Sequence, residues 1–448
     1  MARLFGTDGI RGIANEKLTP TLAYLVGKAA TFVLSKEQSV QPLFFIAKDP
    51  RVSGDMLQSA ITAGILSQGG SVIPAGVLPT PAVAHLLRSY HATAGIMISA
   101  SHNPMEYNGI KIFDAKGFKL PDETEDEIEK IVRNPETLPN VTPDAIGTIF
   151  PAKNAERDYI NFLKSTVNCN FKGLKIALDC ANGATSSVAE SVFSELGATI
   201  FPVSNQPDGK NINQNCGSTH PEHICHYTVK CGCDVGISFD GDGDRVLFSD
   251  ELGNTVDGDQ ILAILSKNMQ KNGTLQKNTA VSTVMSNFGL TLFGEANNIN
   301  IVQANVGDRY VLEKMLKNGY NLGGEQSGHI IISDHNTTGD GILTALKTVE
   351  IMVSENKKMS ELSKVFDKLP QVLVNARVQN KNKDLVLKDE AILELVENVS
   401  IRLFKKGRAL VRPSGTEPLF RVMIEGENLA QIQQYADEIA QKIEEKYS

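Results

Sequence analysis

A strand–turn–helix–strand pattern that occurs three times constrains the fold more than any other feature of this sequence. The three copies span residues 43–76, 174–204 and 279–307. In each copy, a short apolar run is followed by a polar turn with Ser or Gly, a helical segment, a break of small residues and a second apolar run. Strands that alternate with helices form βαβ units and mostly parallel sheets. The repeat therefore predicts three similar α/β domains with mixed, mostly parallel sheets.

The end of the chain follows a different pattern. After Leu369-Pro370, a strand is predicted at VLVNARV, and residues 409–426 read as a strand, a loop and a second strand. The final helix places five apolar residues on one face: Leu429, Ile432, Ala436, Ile439 and Ile443. We therefore expect a smaller C-terminal α+β domain. The four domains are expected around a central cleft, at residues 1–150, 151–253, 254–368 and 369–448.

Composition restricts the classes of function. The chain has 448 residues and is 41% hydrophobic, which is typical of a globular protein with sizeable cores. Its net charge of -8 argues against a general nucleic-acid or membrane-surface role. The N-terminus has no apolar signal segment, and no run approaches about 18 apolar residues, so a cytoplasmic location is expected. The six cysteines show no disulfide framework and are predicted to be reduced thiols.

The segment ISASHNPMEYNGIKIF, residues 98–113, interrupts a core-like apolar run with a polar loop. It contains a concentration of polar side chains: Ser99, Ser101, His102, Asn103, Asn108 and Lys111. One interpretation is a polar turn. The other is a serine to which a chemical group is attached or from which it is transferred.

The segment SFDGDGDRVLFSDE, residues 238–251, alternates Asp240, Asp242 and Asp244 with glycine. Three carboxylates this close repel one another unless a cation neutralises them, and the glycines allow the backbone to curl around it. Oxygen ligands of this kind favour Mg²⁺. An EF-hand is a competing interpretation, but Arg245 stands where that loop needs glycine, and the flanks are predicted as strands. A polar hairpin is the other alternative.

Three further segments indicate contacts with a phosphate or with hydroxyls. Residues 410–422 offer guanidinium, hydroxyl and backbone donors suited to a phosphate, at Arg412, Ser414, Gly415, Thr416 and Arg421. Residues 323–330 alternate three polar side chains that would share one face if extended: Glu325, Ser327 and His329. Residues 5–12 could present Arg11 to an anion. Taken singly, each segment has a structural alternative: a solvated turn, a structural histidine, or an N-terminal turn.

Together the segments are more informative, because four of them fall one per predicted domain: residues 98–113, 238–251, 323–330 and 410–422. A substrate that carries a phosphate and hydroxyls could contact all of them in a cleft between domains. Ser101 is then a candidate phosphoryl carrier, and the metal would stabilise charge on the transferring group.

The order of these motifs resembles the α-D-phosphohexomutases over essentially the whole chain. FGTDGIRG, ISASHNP, DGDGDR, GGEQSGHI and RPSGTEP carry the resemblance. Four further motifs are similar to a bacterial subgroup that acts on glucosamine phosphates: DCANGAT (179–185), NINQNCGSTHPE (211–222), VGDRYV (306–311) and TTGDGI (337–342). KDPRVSG departs from the pattern, because Pro50 stands where Thr is more usual.

The resemblance implies roles for individual residues. The implied ligands of one Mg²⁺ per chain are the phosphoryl oxygen on Ser101, Asp240, Asp242 and Asp244. The implied catalytic residues are Ser101 as the phosphoserine, Arg11, Lys111, Arg245 and His329, with Lys111 or His329 as proton shuttle. Glu325 and Ser327 would contact sugar hydroxyls. The non-reacting phosphate would be held by Arg412, Ser414, Gly415, Thr416 and Arg421.

The implied reaction interconverts glucosamine 6-phosphate and glucosamine 1-phosphate. A glucosamine or glucose 1,6-bisphosphate would be the intermediate or activator, and the product would enter UDP-N-acetylglucosamine and cell-wall synthesis. A mutase for glucose or mannose phosphates, a metal-dependent sugar phosphatase and a non-catalytic sugar-phosphate binder are the alternatives. The expected partner is a small sugar phosphate, without nucleic acid or membrane, and a homodimer is one option for the assembly.

Overall fold

The computed structural model describes residues 3–6, 8–36, 41–404, 406–414 and 417–448. The chain divides into two compact units. Unit 1 comprises Met1–Met285 and Val302–Lys364, and unit 2 comprises Ser286–Ile301 and Val365–Ser448.

The first sheet of unit 1 is formed by the N-terminal part of the chain. Its elements are β1 (Ile10–Ile13), α1 (Pro20–Ser35), β2 (Leu43–Lys48), α2 (Gly54–Ser67), β3 (Ser71–Val77), α3 (Thr80–Ser89), β4 (Ala94–Ile98), β5 (Tyr107–Asp114) and α4 (Asp122–Arg133). The strand order is β1-β5-β4-β2-β3. Strand β2 pairs in parallel with β3 and β4, whereas β5 runs antiparallel to both β4 and β1.

The second sheet has the same arrangement of strands, except that its edge strand comes last in the chain and not first. Its elements are α5 (Ala155–Ser165), β6 (Lys175–Asp179), α6 (Ser186–Glu195), β7 (Thr199–Val203), α7 (Pro221–Cys231), β8 (Val235–Phe239), β9 (Val246–Asp250), β10 (Thr255–Val256) and α8 (Gly258–Lys271). The order is β10-β9-β8-β6-β7. Strand β6 is parallel to β7 and β8, and β9 is antiparallel to β8 and β10.

The third sheet follows in the chain. Its elements are β11 (Thr279–Thr283), α9 (Phe288–Asn297), β12 (Asn300–Ala304), α10 (Asp308–Asn318), β13 (Leu322–Gly324), β14 (Ile330–Ile332), α11 (Gly341–Glu355) and α12 (Met359–Leu362). The order is β12-β11-β13-β14, with β13 parallel to β11 and antiparallel to β14. Helix α9 belongs to unit 2.

The C-terminal part of unit 2 is a small α+β structure. Its elements are β15 (Gln371–Arg377), α13 (Lys383–Val386), α14 (Glu390–Arg402), β16 (Gly407–Pro413), β17 (Leu419–Gly426) and α15 (Leu429–Tyr447). The sheet β15-β17-β16 is antiparallel. Four of the five residues predicted for the buried face of α15 are buried, but Leu429 is 58% exposed. It occupies the first helical position, and a helical side chain leans toward the preceding turn, which α15 lacks there.

Apolar strands and helix faces form the cores. The first-sheet core packs residues such as Phe44, Ile46 and Ile96 against helices α1, α2 and α4. The C-terminal core packs Val422 and Ile424 of β17 against α14 and α15. Within the described residues, no helix is both long enough and apolar enough to cross a membrane.

The polar segments identified in the sequence occupy equivalent positions in the related sheets. Residues 99–106 connect β4 to β5, residues 240–245 connect β8 to β9, and residues 325–329 connect β13 to β14. Each loop therefore joins a strand with a parallel neighbour to the antiparallel strand beside it. The predicted α/β class with a smaller C-terminal α+β domain is confirmed, and so are both strands and the helix of each sequence repeat.

Candidate active site

Ser101 is held against the aspartate loop in an uncommon backbone conformation. The residue is 1% exposed and has a φ of 53°, a left-handed value that is unusual outside glycine. Its Oγ donates a hydrogen bond to Asp240 Oδ2 at 2.7 Å, and His102 Nδ1 lies 3.4 Å from Ser101 Oγ. The serine hydroxyl therefore meets the first carboxylate of the predicted metal site.

The three aspartates form a buried cluster. Asp240, Asp242 and Asp244 each contribute one carboxylate oxygen to a group of three oxygens that lie within 4.8 Å of one another. Among the described residues, the buried Oδ1 atoms of Asp242 and Asp244 have no hydrogen-bond partner. A buried carboxylate oxygen without a hydrogen bond is costly, and two such oxygens in a cluster of three carboxylates fit a divalent metal ion. An EF-hand is excluded, because strands β8 and β9 flank the loop.

The surroundings give two of these carboxyls opposite pKa shifts. Burial and the neighbouring Asp244 and Asp242 raise the pKa of Asp240 well above its ordinary value. Burial also acts to raise the pKa of Asp244, but Lys111, His329 and Arg245 outweigh it and lower this pKa. The side of the cluster near Asp244 therefore carries the more firmly fixed negative charge.

Lys111 is the main cation beside the cluster. It is 1% exposed, and its Nζ lies 2.8 Å from Asp242 Oδ2, 3.1 Å from Asp8 Oδ2 and 3.6 Å from Asp244 Oδ2. Burial would lower the pKa of Lys111, but the three carboxylates outweigh it and hold the pKa well above the ordinary value. Thr80 Oγ1 donates a second hydrogen bond to Asp242 Oδ2 at 2.6 Å.

Six alternating ionisable side chains surround this part of the site. We name them the charge ring: Asp8, Lys111, Asp244, His329, Asp308 and Lys119. Lys119 Nζ lies 2.5 Å from Asp8 Oδ1 and 2.6 Å from Asp308 Oδ2. His329 completes the ring, with Nδ1 3.7 Å from Asp244 Oδ1 and Nε2 3.9 Å from Asp308 Oδ2. Each lysine and each carboxylate of the ring thus faces an opposite charge, which offsets the cost of burying it.

His329 is fixed by close backbone contact. The amide of Gly339 donates to His329 Nε2 at 3.1 Å, so Nδ1 on the Asp244 side carries the proton of the neutral tautomer. A Cβ on residue 339 would lie 2.5 Å from two atoms of the ring, which requires glycine there. This contact explains the first of the two glycines in the TTGDGI motif.

Two arginines have donors that no protein group uses. Arg11 donates to Asn103 Oδ1 at 3.4 Å and pairs with Asp8, and Arg245 lies with its Nε 3.8 Å from Asp244 Oδ1. Within the part of the chain that the structure describes, the buried Nε atoms of both arginines lack a hydrogen-bond partner. Guanidinium donors in this state suit an anion such as a phosphoryl group.

A cavity of about 640 Å³ adjoins this cluster in unit 1. Its lining includes five of the predicted catalytic and sugar-binding residues, Arg11, Arg245, Glu325, Ser327 and His329, together with the predicted metal ligand Asp244 and with Asp8 and Asp308. Glu325 Oε1 accepts a hydrogen bond from the Gly307 amide at 3.1 Å, which fixes the carboxylate at the wall. A cavity of this size and polarity can hold a phosphorylated hexose.

The loop that carries Glu325 differs from the sequence expectation. Alternation along an extended segment was expected to place Glu325, Ser327 and His329 on one face. The segment is instead a tight turn, closed by hydrogen bonds from the Glu325 amide to the His329 carbonyl and from the Gly328 amide to the Glu325 carbonyl. Gly328 has a φ of 91°, a value that favours glycine. Ser327 is exposed and His329 is buried.

Three of the predicted phosphate-binding residues are described, all in unit 2: Arg412 lies in β16, Ser414 directly follows β16, and Arg421 lies in β17. Arg412 and Arg421 are directly opposite each other on these strands. Burial and the nearby Arg421 lower the pKa of Arg412. Like charges in this position are destabilising, and although Arg421 pairs with Glu417 at 3.2 Å, the two facing guanidinium groups fit a further anion. Ser414 is 5% exposed, and Lys383 Nζ donates to its carbonyl at 2.6 Å. Gly415 and Thr416 lie outside the described residues.

The structure thus places the predicted residues in two groups. The first group lies in unit 1, where Ser101, the three aspartates and Lys111 are in contact and the five cavity residues lie beside them. The second group is the phosphate-binding set of unit 2. Sequence reasoning missed Asp8, Lys119, Asp308 and Thr80. Asp8 and Asp308 belong to FGTDGIRG and VGDRYV, motifs whose carboxylates were given no role. Lys119 and Thr80 belong to no motif of the resemblance.

Sequence comparison identifies the same four-part organisation. Profiles described as Phosphoglucomutase/phosphomannomutase, alpha/beta/alpha domains I, II and III, match residues 2–138, 157–253 and 257–369. The C-terminal domain of that family matches residues 373–442. The chain belongs to the phosphoglucomutase/phosphomannomutase family. The motif resemblance is therefore confirmed.

Curated and solved members of the phosphoglucomutase/phosphomannomutase family extend this result. A protein of Clostridium acetobutylicum named phosphoglucosamine mutase is 53% identical over 447 residues and covers 100% of both chains. A crystal structure of a family protein from Burkholderia thailandensis has a TM-score of 0.84 at 20% identity, covering 99% of this chain and 98% of its own. N-acetylphosphoglucosamine mutase of Aspergillus fumigatus, solved with GlcNAc-6P and magnesium, has a TM-score of 0.71 at 18% identity, covering 100% and 96%. These two structures bear on the fold alone.

Proposed function

We propose that this family member is a phosphoglucosamine mutase, an isomerase that interconverts glucosamine 6-phosphate and glucosamine 1-phosphate. The observation that carries the proposal is the meeting of the Ser101 hydroxyl, three buried carboxylates and Lys111 beside the cavity. A binding protein has no need of a buried serine against a metal-binding cluster. The 53% identity to a curated phosphoglucosamine mutase supports the choice of sugar.

The chain's own residues divide the work of phosphoryl transfer. Ser101 Oγ carries the phosphoryl, donates it to one end of the sugar phosphate and receives the other phosphoryl after the sugar has turned. Arg11 and Arg245 bind oxygens of the transferring group with their unused donors. Lys111 and His329 are the candidates for moving the proton of the sugar hydroxyl. Comparison of kcat between Lys111→Met and His329→Gln separates these two roles.

The aspartate cluster is the proposed magnesium site. Asp240, Asp242 and Asp244, with a phosphoryl oxygen on Ser101, would hold one Mg²⁺ per chain. When bound, the ion would withdraw negative charge from the phosphoryl oxygens. The buried carboxylate oxygens without partners support this assignment.

Substrate binding is assigned to two loops. Glu325 and Ser327 would accept and donate hydrogen bonds to ring hydroxyls, which both orientations of the sugar present. In unit 2, Arg412, Ser414, Gly415, Thr416 and Arg421 would hold the phosphate that is not reacting. The opposed pair Arg412 and Arg421 supports an anion there. A glucosamine or glucose 1,6-bisphosphate would be the intermediate and the activator.

A coupled assay with glucosamine, glucose and mannose 6-phosphates tests the proposal. The highest kcat/KM is expected for glucosamine 6-phosphate, with lower activity on glucose 6-phosphate. Intact-mass analysis should find a phosphorylated fraction mapped to Ser101, and Ser101→Ala should lose nearly all turnover while it stays folded. A wide preference for glucose or mannose phosphates would overturn the choice of sugar. Normal turnover of Ser101→Ala would overturn the mechanism.

Three expectations from sequence remain proposals. The domain boundaries are placed at residues 150, 253 and 368. The protein is expected in the cytoplasm, where its product would serve UDP-N-acetylglucosamine and peptidoglycan synthesis. Its partner is expected to be the sugar phosphate alone, without nucleic acid, and a homodimer is the assembly to test by light scattering.

A further inference from the structure

The backbone of the serine loop is held by one buried arginine. The side chain of Arg51 has no exposed surface. Its guanidinium donates to three carbonyls of the loop, Ser101 at 3.0 Å, Asn103 at 2.8 Å and Pro104 at 2.5 Å, and to the carbonyl of Tyr107 at the start of β5 at 3.1 Å. Only the planar fork of arginine presents enough donors in fixed directions for this task. Arg51 therefore fixes the path of the chain from Ser101 to Tyr107.

Asp49 extends this hold to the amide of Ser101. Its buried carboxylate accepts hydrogen bonds from Arg51 Nε at 2.9 Å and from Ser99 Oγ at 2.6 Å. Ser99 Oγ in turn accepts from the Ser101 amide at 2.9 Å. Both the amide and the carbonyl of Ser101 are thus fixed by side chains of the first sheet.

A second side chain, from the segment between β7 and α7, donates to two of the same carbonyls. Asn213 Nδ2 donates to the carbonyls of Ser101 at 2.9 Å and Asn103 at 3.0 Å. Asn213 itself has a left-handed φ of 59°, and its amide donates to the Ala181 carbonyl at 2.9 Å. It belongs to the motif at 211–222, for which the proposed chemistry above gave no role.

We propose that Arg51 and Asn213 are positioning residues that keep Ser101 in its left-handed conformation through each phosphorylation and dephosphorylation. This inference rests on the proposed function. Neither side chain contacts the Ser101 hydroxyl in the described structure, and both act through the loop carbonyls. A serine released from these contacts would relax to an ordinary φ and move its Oγ away from Asp240. A carrier that reacts twice per turnover must return to one position, since misplacement by about 1 Å can cost about 100-fold in rate.

The sharpest test compares two identical substitutions two residues apart. Asn213→Gly removes the side chain without backbone strain, because glycine adopts a positive φ readily. Asn215→Gly is the matched control: Asn215 also has a positive φ, 52°, but is exposed. Asn213→Gly is expected to lower kcat roughly 10- to 100-fold with KM within about twofold of wild type. The control is expected to keep kcat within about twofold of wild type.

A second readout separates positioning from general destabilisation. The phosphorylated enzyme is isolated and mixed with glucosamine 6-phosphate, and the fraction of phosphoryl released as inorganic phosphate is measured. In that side reaction the P–Oγ bond of Ser101 breaks, a water oxygen bonds to phosphorus, and Oγ regains the proton that the water loses. Asn213→Gly and Arg51→Lys should both raise the fraction lost to water, because a displaced phosphoryl meets water more often than sugar.

The outcomes decide between two proposals. A lower kcat with unchanged KM and more loss to water, in Asn213→Gly but not in the control, supports the positioning role. An activity loss that only follows the loss of folded protein, or an unchanged partition to water, overturns it. If Arg51→Lys does not fold, the Asn213 and Asn215 pair still decides. A wild type without mutase activity or phosphoserine would instead overturn the proposed function.

Discussion

Replacing Lys111 with methionine should make the stability of the protein depend more strongly on divalent metal. The Lys111 ammonium is 1% exposed and lies within 3.6 Å of carboxylate oxygens of Asp8, Asp242 and Asp244. Removing one partner from a buried ion pair leaves an uncompensated charge and costs about 3–5 kcal/mol. Lys111→Met should therefore lower the free energy of unfolding by about that amount in EDTA.

Magnesium should restore part of this loss. A unit charge about 4 Å away contributes about 4 kcal/mol at an effective dielectric constant of 20, and relaxation reduces the net effect. We expect metal to bind Lys111→Met roughly 10- to 100-fold more tightly than wild type, which corresponds to about 1.4–2.8 kcal/mol. The kcat should fall at the same time, because a cation beside the transferring group is lost.

Urea unfolding with EDTA and with saturating MgCl₂ measures both effects. Lys119→Met is the matched control, since Lys119 bridges Asp8 and Asp308 in the same charge ring but contacts none of the aspartates of the metal cluster. The control should lose stability while its response to magnesium stays at the wild-type value. If both variants responded to magnesium like wild type, Lys111 would not neutralise the cluster, and the electrostatic reasoning would be refuted.

Three further changes test separate parts of the structure. Arg421→Met should raise KM roughly 10- to 100-fold by removing a charge-assisted contact, and an unchanged KM would reduce this segment to a surface turn. Burial, with the nearby Arg88, lowers the pKa of His85 to about 4. As pH falls, the unfolded chain therefore binds the proton before the folded chain does. The stability that neutral His85 contributes is fully present above about pH 6.5, and up to ~3 kcal/mol is lost as pH falls toward 4. Urea titrations at pH 7 and pH 4 should show this loss in wild type and not in His85→Phe. Gly339→Ala should displace His329 and lower kcat by about 10-fold or more, and full activity in steady-state assays would contradict the close packing.

Local patterns predicted the repeated elements and most of the loop residues. Apolar runs with turn residues between them determine strands β2, β6 and β11 and the helices that follow, because these signals depend only on neighbours in sequence. The aspartate cluster was predicted for a similar reason. Three carboxylates within five residues require a common neutralising charge whatever the rest of the fold does.

Contacts between distant segments could not be predicted in this way. Lys119 and Asp308 are 189 positions apart in the sequence, and nothing in either segment names the other as its partner. Asn213 contacts the Ser101 carbonyl across 112 positions. The alternation at residues 325–329 does not distinguish an extended segment from a closed turn, because polar residues alternate in both. The glycine at 328 is the signal that indicates the turn.

Lys111 stands in an apolar strand, and this conflict by itself indicates which kind of partner the strand needs. Residues 108–113 of β5 are all buried, so this strand has no solvent face to which a lysine could point. An ammonium in such a strand requires carboxylates nearby, because burying it alone is prohibitive. The DGDGDR segment has the complementary problem of excess negative charge. Each segment offers what the other lacks, and the 2.8 Å contact between Lys111 and Asp242 joins them. A buried strand with an unmatched cation and a loop with unmatched carboxylates therefore predict each other as neighbours, even when 131 positions separate them in the chain.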